Sequence, residues 1–377
     1  MTSIAVAMVI LMMPLTGHFF AASTLDMHSR VDKDSTYYMP HAPIYIEGNE
    51  NFTAANGVTG GNGTTSNPYI IEGWDIDAST AVWPLSSGIE ITNTNNHFII
   101  KKCCVHDGKK NASNHEGISF ANVTYGGIKD CEIVHNDDGL NLRSYGAPST
   151  QNTITNCTIS SNGIGILVYV SHHNNITGCS ISGNRDGVIL MYSNYNNISH
   201  CLLTNNTDAG VYMGNPVRGQ EKSIAFLGTR TRFNMVYSCT FSGNARGIKM
   251  VRGPAENMIV NCDITGSGYC GILLTNQVHN NTITGCTIRE NKRGMYVPRS
   301  YYSGTSNSND NLIYCNAFIG NHLHAVDTCN NRWDNGSVGN YWSTYLWCDL
   351  NGDGIGDLPK YIPGGLNWDR YPLMEQR

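Results

Sequence analysis

A short phrase recurs along this chain: an apolar residue, two intervening residues and then a cysteine. The nine copies are Ile100-x-x-Cys103, Ile128-x-x-Cys131, Ile154-x-x-Cys157, Ile176-x-x-Cys179, Ile198-x-x-Cys201, Val236-x-x-Cys239, Ile259-x-x-Cys262, Ile283-x-x-Cys286 and Leu312-x-x-Cys315. A unit this small cannot bury its apolar side alone, so successive units must stack on one another. The repeat therefore predicts a solenoid.

The residue types within each unit predict strands rather than helices. Cys157, Cys179 and Cys201 follow one another at intervals of 22 residues, and the units between them are rich in Ile, Val, Thr, Asn and Gly. These residues favour short strands and tight corners. Cys157-x-Ile159 has the two-residue spacing of a strand with one buried face, and a second strand follows a glycine, as in Gly187-Val188-x-Leu190.

The three-residue step from the apolar residue to the cysteine predicts a corner between them. A straight strand would send these two side chains to opposite faces, because the side-chain period of a strand is two. Three short strands per turn describe an all-β fold, a parallel β-helix of about nine or ten coils with N- and C-terminal caps. A polar ladder lies five residues before the last seven of these cysteines and is expected to satisfy backbone groups at the corners: Asn152, Asn174, Asn196, Asn234, Asn257, Asn281 and Asp310.

This repeat resembles that of right-handed parallel β-helix proteins, in the group of carbohydrate-binding proteins and sugar hydrolases. It is most similar to the NosD-like β-helix proteins of archaea and bacteria. The phrases Asn67–Trp74, Gly339–Trp342 and Asp369–Leu373 support the resemblance, which covers roughly residues 41–375. NosD-type proteins are associated with copper delivery to nitrous-oxide reductase. The resemblance thus implies a periplasmic copper-binding or metallochaperone component, although the histidines, among them His106 and His135, show no repeating ligand spacing.

The ends of the chain predict export and a division into regions. An apolar run from Ile4 to Leu15 is too short to span a membrane and is followed by the small residues Ala21, Ala22 and Ser23. We expect a signal peptide at 1–23, an N-terminal cap with the first coils at 41–94, repeats at 95–332 and a C-terminal cap at 333–377. The protein is then secreted or extracytoplasmic, without an integral membrane segment in the mature chain.

The net charge of the chain limits the kinds of partner it can bind, and the positions of the cysteines predict which of them are reduced. The formal net charge is −5 and there is no basic stripe, which argues against nucleic-acid binding. The ladder cysteines are expected to be buried and reduced, because stacked residues direct their Cβ atoms in parallel. Cys329 and Cys348 lie outside the ladder and are the candidate disulfide. The sequence leaves the oligomeric state open.

One acidic, glycine-rich loop in the C-terminal cap predicts a structural calcium site. Asp349, Asn351, Asp353 and Asp357 supply oxygens at positions 1, 3, 5 and 9, and Ile355 offers its backbone carbonyl at position 7. The glutamate expected at position 12 is replaced by Lys360. The alternative is a turn that caps the solenoid without an ion.

Loop insertions predict a ligand-binding edge. Long connections follow Leu142, Met213 and Val297, each at the end of the second strand of its coil. Solenoid loops on one edge commonly form a binding surface. Tyrosine and arginine at these loops suit a sugar: Arg143, Tyr145, Tyr192, Tyr195, Arg218, Arg230, Arg232, Arg299, Tyr301 and Tyr302.

The sequence indicates catalytic residues less clearly than it indicates a binding edge. His135, Asp137 and Asp138 form the best cluster, since paired carboxylates beside a histidine suit acid–base work on a glycosidic bond. The same stretch also reads as an ordinary Asn-x-x-Gly corner of the repeat. The favoured function is therefore binding of a polysaccharide or glycosylated surface without turnover. The alternatives are the copper-binding component and a polysaccharide lyase or hydrolase.

Overall fold

The computed structural model describes residues 38–82, 85–109, 115–144, 146–214, 230–300 and 307–376. Three sheets run along the solenoid, and each coil contributes one strand to each sheet. In spatial order, sheet A contains β1 (Met39–Pro40), β5 (Trp74–Asp77), β8 (Cys104–His106), β11 (Glu132–Val134), β14 (Thr158–Ser160), β17 (Ser180–Ser182), β20 (Leu202–Thr204), β23 (Thr240–Ser242), β26 (Asp263–Thr265), β29 (Thr287–Arg289), β32 (Ala317–Ile319) and β34 (Tyr341–Trp342).

Sheets B and C complete each turn. Sheet B contains β2 (Ile44–Glu47), β6 (Ser87–Thr94), β9 (Glu116–Val123), β12 (Asp138–Arg143), β15 (Ile164–Tyr169), β18 (Asp186–Met191), β21 (Ala209–Gly214), β24 (Arg246–Val251), β27 (Cys270–Thr275), β30 (Arg293–Val297) and β33 (Leu323–Asp327). Sheet C contains β3 (Val58–Gly60), β4 (Tyr69–Glu72), β7 (Phe98–Lys101), β10 (Gly126–Lys129), β13 (Thr153–Thr155), β16 (Asn175–Thr177), β19 (Asn197–Ser199), β22 (Met235–Tyr237), β25 (Met258–Val260), β28 (Thr282–Thr284) and β31 (Leu312–Tyr314).

Apart from the β3–β4 pair, neighbouring strands within these three sheets are parallel, and identical residues stack between coils. Ile154 pairs with Ile176, which in turn pairs with Ile198. This register confirms the predicted right-handed parallel β-helix. The remaining elements are short: 3-10 turns at Asn49–Asn51, Ala54–Asn56 and Ala78–Thr80, and an antiparallel hairpin of β35 (Lys360–Ile362) and β36 (Asn367–Asp369).

Eight cysteines form the predicted ladder inside the coil, and each is at most 2% exposed: Cys103, Cys131, Cys157, Cys179, Cys201, Cys239, Cys262 and Cys286. Each thiol lies close to a carbonyl oxygen of its own corner; the Sγ of Cys179, for example, is 3.5 Å from the oxygen of Thr177. Small apolar side chains with a weak donor suit this position.

The ninth copy of the repeat begins one residue later in the structure than the sequence predicts. Ile313, not Leu312, pairs with Ile283, so Asn316 takes the corner that Cys286 occupies in the preceding coil. Cys315 instead has a left-handed backbone (φ 54°) and lies partly exposed. The same shift makes Asn311, which is fully buried, the ladder residue in place of Asp310, which is exposed.

The asparagine ladder performs the predicted role. The side-chain nitrogen of Asn152 donates to the side-chain oxygen of Asn174 at 3.0 Å and to the backbone oxygen of Val123 at 3.0 Å. The side-chain oxygen of Asn174 also accepts from the backbone nitrogen of Asn152. A second ladder, represented by Asn162 and Asn184, repeats this pattern at the next corner. Buried corner backbone is thereby satisfied from coil to coil.

Two buried tryptophans close the C-terminal end of the core. Trp342 stacks on Phe318 with ring centroids 4.4 Å apart, and its indole nitrogen donates to Asp369 at 2.8 Å. Trp333 donates in the same way to Asp327 at 3.0 Å. Burial raises the pKa of Asp369 to about 6, and the hydrogen bonds it accepts oppose that rise.

The candidate disulfide is not formed. Cys329 and Cys348 are both free thiols; Cys329 is partly buried with its Sγ 3.4 Å from the oxygen of Pro298, and Cys348 is exposed. The predicted signal peptide at 1–23 lies outside the described residues. Within the described ranges, no helix has both the length and the apolar character needed to cross a bilayer.

Candidate functional site

A group of metal-ligating side chains lies on the outer face of sheet A, where strands β5 and β8 pair. Asp75 lies opposite Cys104 and Asp77 opposite His106. Successive side chains of a strand point to opposite faces, and the intervening Ile76 is fully buried. The four polar side chains therefore share the outer face.

Three of these residues, Asp75, Cys104 and His106, each place one donor atom within 4.8 Å of the other two. The Nε2 atom of His106 is 3.2 Å from an oxygen of Asp75, and its Nδ1 atom is 3.3 Å from an oxygen of Asp107. All three side chains are partly buried. A thiol, an imidazole and a carboxylate thus converge on one half-open position, and we call this group the metal centre.

The electrostatics of the metal centre favour a cation. Burial, followed by the negative charges of Glu132 and Asp75, raises the pKa of the Cys104 thiol to about 12. The thiol is therefore protonated at neutral pH and must release its proton to bind a metal. The acidic groups that hold this proton also attract the metal that replaces it.

Sequence reasoning missed the metal centre. Its signal was the phrase Cys103-Cys104-Val105-His106, in which a second cysteine stands where the next coils have Glu132 and Thr158. Asp75 comes from the preceding coil. Only the pairing of β5 with β8 shows that it meets Cys104 and His106.

A second polar cluster lies on the outer face of sheet B. The side-chain nitrogen of Asn141 donates to Glu116 at 2.7 Å and to Asp138 at 3.3 Å. Arg143 donates to Glu116 and to Glu90, each at 3.3 Å. Burial, together with the charge of Glu116 and then that of Asp137, raises the pKa of Asp138 to about 7.

The structure places the three catalytic candidates differently. Asp138 belongs to this cluster, Asp137 precedes it at the end of the corner, and His135 lies exposed on that corner with φ 60°. The buried Asn136 separates His135 from the two carboxylates along the chain and belongs to the second asparagine ladder. Glu116 is the partner of Asp138 that the sequence did not reveal.

The insertions leave one edge, as predicted, because they follow β12, β21 and β30 of sheet B. Tyr145, Arg218, Tyr301 and Tyr302 lie outside the described residues. Arg230 is exposed, Arg232 is 3.8 Å from Glu256, and Arg299 donates to the backbone oxygen of Thr328 at 3.3 Å.

The tyrosines of this edge contact other rings. Tyr195 lies between His173 and Phe233, with both ring centroids 4.9 Å away and interplanar angles of 1° and 13°. Tyr192 packs edge-on against Tyr169, with centroids 6.2 Å apart. Both faces of the Tyr195 ring are thus covered, so a sugar could stack there only after one neighbour moved.

Cations and aromatic rings alternate further along the outer face of sheet B, in a group that we call the cation–aromatic patch. The guanidinium groups of Arg246 and Arg293 lie 4.8 and 5.1 Å from the ring of Tyr269, and Lys249 lies 5.1 Å from that of Tyr212. Arg246 and Lys249 also share Asp208 as an ion-pair partner. Nε of Arg246 and Nη1 of Arg293 are buried, and neither has a hydrogen-bond partner among the residues that the structure describes.

The acidic loop of the C-terminal cap is ordered by its own carboxylates. Asp349 accepts hydrogen bonds from the backbone nitrogens of Gly352, Asp353 and Gly354 at 2.7–3.2 Å. Asp353 accepts from the nitrogen of Ile355, and Asp357 from that of Leu350. In the described chain, the three carboxylates do not all lie within 4.8 Å of one another. Calcium binding by this loop, including Asn351, remains a prediction.

The fold and the surface groups define a parallel β-helix protein with polar sites on its outer faces. A family model described as periplasmic copper-binding protein (NosD) matches residues 27–216 and 149–346. These matches span more than half of the chain, and the chain belongs to this family.

Two relatives carry the same family name. A probable ABC transporter binding protein NosD of Pseudomonas aeruginosa is 31% identical over 139 residues, 36% of this chain and 29% of that protein. One from Stutzerimonas stutzeri is 44% identical over 68 residues, 18% of this chain and 15% of that protein. The matches thus span less than a third of either relative.

Solved structures share the fold at low sequence identity. The catalytic domain of a GH87 alpha-1,3-glucanase in complex with nigerose has a TM-score of 0.53 and 14% identity, covering 81% of this chain and 57% of that one. A pectate lyase has a TM-score of 0.51 and 13% identity, covering 88% and 90%. At these identities the similarity shows the fold alone.

Proposed function

We propose that this protein is an extracytoplasmic β-helix protein that binds copper through Asp75, Cys104 and His106. The observation that carries the proposal is the convergence of a thiol, an imidazole and a carboxylate within 4.8 Å on the outside of the solenoid. Thiolate sulfur suits Cu(I), and imidazole nitrogen suits copper in general. The family description as a periplasmic copper-binding protein supports the choice of metal and of compartment.

Each residue of the metal centre has a distinct role in the proposal. Cys104 supplies a thiolate after losing its proton, and His106 supplies a ring nitrogen. Asp107, 3.3 Å from the Nδ1 atom of His106, fixes the ring and favours coordination through the other nitrogen. The centre is partly exposed, so a bound ion stays within reach of a partner that delivers or accepts it.

Anaerobic titration with Cu(I) against a competing chelator tests the proposal. We expect one site per chain, and Cys104→Ser and His106→Ala should each weaken the affinity at least about tenfold. Cys348→Ser and His173→Ala are matched controls, because both side chains are exposed and lie outside the metal centre. Wild-type affinity in both metal-centre variants would overturn the assignment.

The second candidate function is binding of a polysaccharide or glycosylated surface along the insertion-bearing edge and the neighbouring outer face of sheet B. The cation–aromatic patch favours it, since the guanidinium groups of Arg246 and Arg293 lie beside the ring of Tyr269, and aromatic rings next to cationic donors suit a sugar. A glycan array is the direct test. Enzymatic cleavage is the further alternative, which requires product release from a uronate polymer and its loss in Asp138→Asn.

The remaining proposals concern the ends of the chain. We also propose export through a signal peptide at 1–23, regions bounded at 41–94, 95–332 and 333–377, and a structural Ca²⁺ in the Asp349–Asp357 loop. The carboxylates of Asp349 and Asp353 accept hydrogen bonds from backbone nitrogens of that loop. These bonds support a tight turn that carries carboxylate oxygens, as a calcium loop requires.

A further inference from the structure

An open cavity of about 690 Å³ lies at the C-terminal end of the solenoid. One wall is β33, the last strand of sheet B, and the other is the hairpin of β35 and β36. The hairpin is held against β33 by a backbone hydrogen bond of 2.8 Å from Asp327 to Pro363. This volume lies in the range of small-molecule binding sites.

Exposed aromatic rings form the mouth of the cavity. Trp347 is 60% exposed and Trp368 is 49% exposed, although tryptophan side chains are usually well buried. Tyr361 packs beside Trp368 with ring centroids 5.1 Å apart. Large aromatic side chains that stay in solvent around a concave site are typical of a binding surface.

Basic side chains line the cavity. Within the described parts of the chain, its lining contains Lys360, His322 and His324 but no aspartate or glutamate. Lys360 forms no ion pair with any residue that the structure describes. His324 is half-buried, and burial followed by the charge of Lys360 lowers its pKa, so Lys360 supplies the positive charge.

We propose that this cavity binds an oligosaccharide that carries a uronate. The pyranose ring packs on Trp347 or Trp368, its hydroxyl groups meet the polar atoms of His322 and Thr344, and its carboxylate pairs with Lys360. The carboxylate supplies a counter-charge that Lys360 does not have among the residues that the structure describes, and a neutral ligand would not supply it. The inference is independent of the metal centre, which lies at the other end of the sheets, and of the cation–aromatic patch.

Isothermal titration with a galacturonate trimer and a neutral glucose trimer tests the site. The galacturonate trimer should bind, and Trp368→Ala should weaken it about tenfold through loss of stacking and buried area. Lys360→Gln should remove the preference for galacturonate over the neutral sugar. Leu366→Ala is the control, because Leu366 is 93% exposed on the same hairpin turn and does not line the cavity.

Three results would overturn the inference: no binding of either sugar, equal binding of both by the wild type, or an equal loss in Leu366→Ala. Thermal unfolding of each variant distinguishes loss of a contact with the sugar from unfolding of the C-terminal cap. A Cu(I) titration of the same samples should give the wild-type affinity, so failure at the cavity is distinguishable from failure of the copper proposal.

Discussion

The backbone nitrogen of Cys286 donates a hydrogen bond of 3.0 Å to the side-chain oxygen of Asn316 in the next coil. At this point the ladder of thiols becomes a ladder of amides. The side-chain nitrogen of Asn316 donates onward to Ile283 and Asn340, and the backbone nitrogen of Asn340 donates to Asp369. The change of residue type joins the regular coils to the C-terminal cap through buried hydrogen bonds.

Replacing Asn316 with alanine is therefore expected to destabilise the protein. The substitution leaves the backbone nitrogen of Cys286 without its acceptor in a buried corner, which costs about 1–3 kcal/mol for the unsatisfied group. Denaturant unfolding measures the change in the free energy of unfolding. Asn330→Ala, at an exposed position of the following coil, should stay within about 0.5 kcal/mol of the wild type. Equal stability of both variants would contradict the structural role of Asn316.

The acidic loop of the cap gives a prediction about metal removal. If the loop from Asp349 to Asp357 binds Ca²⁺, the ion stabilises the folded chain by about 2.7 kcal/mol at a concentration one hundred times its dissociation constant. Thermal unfolding with Ca²⁺ and with a chelator should then give different midpoints. Asp353→Asn keeps an oxygen that can accept from Ile355 but removes a ligand charge, so it should reduce this difference. Asp310→Asn, exposed and outside the loop, should retain it.

Copper affinity should depend on pH through Cys104. Because the acidic neighbours and burial raise the pKa of this thiol to about 12, binding displaces a proton throughout the neutral and mildly alkaline range. The apparent affinity should rise about tenfold for each pH unit between roughly pH 7.5 and 9. Chelator competition at several pH values measures this slope, and Cys104→Ser should flatten it. A slope that Cys104→Ser leaves unchanged would remove the thiol from the metal centre.

The ladders could be predicted from the sequence because each coil repeats the same environment at the same position. The error at the last copy has a physical cause. Leu312 and Ile313 are both apolar and Cys315 and Asn316 both suit a corner, so the sequence permits two registers. The pairing of Ile283 with Ile313 settles which of them buries its side chain.

The metal centre could not be predicted in this way. Asp75 and Cys104 lie in different coils, and nothing periodic in the sequence links them. They come together only because β5 aligns with β8 in this register. The inward-facing core residues fix that register, and the residues on the outer face do not. Core positions of the solenoid can thus be predicted from the repeat. A site on the outer surface of the solenoid cannot, because its residues differ from the repeat.

Asp138 provides a prediction of pH-dependent stability. Its pKa is about 7 in the folded chain and about 3.9 when unfolded, so the folded chain binds the proton more tightly. The resulting stabilisation is fully present below about pH 4 and is lost as the pH rises towards 7, by up to a few kcal/mol. Asp138→Asn keeps an acceptor for Asn141 but has no proton to lose, so it should be more stable than the wild type at pH 8 and should lack this loss. Denaturant unfolding at pH 5 and pH 8 measures both effects, with the exposed Glu290→Gln as the charge-matched control. A wild-type pH dependence in Asp138→Asn would show that another group binds the proton.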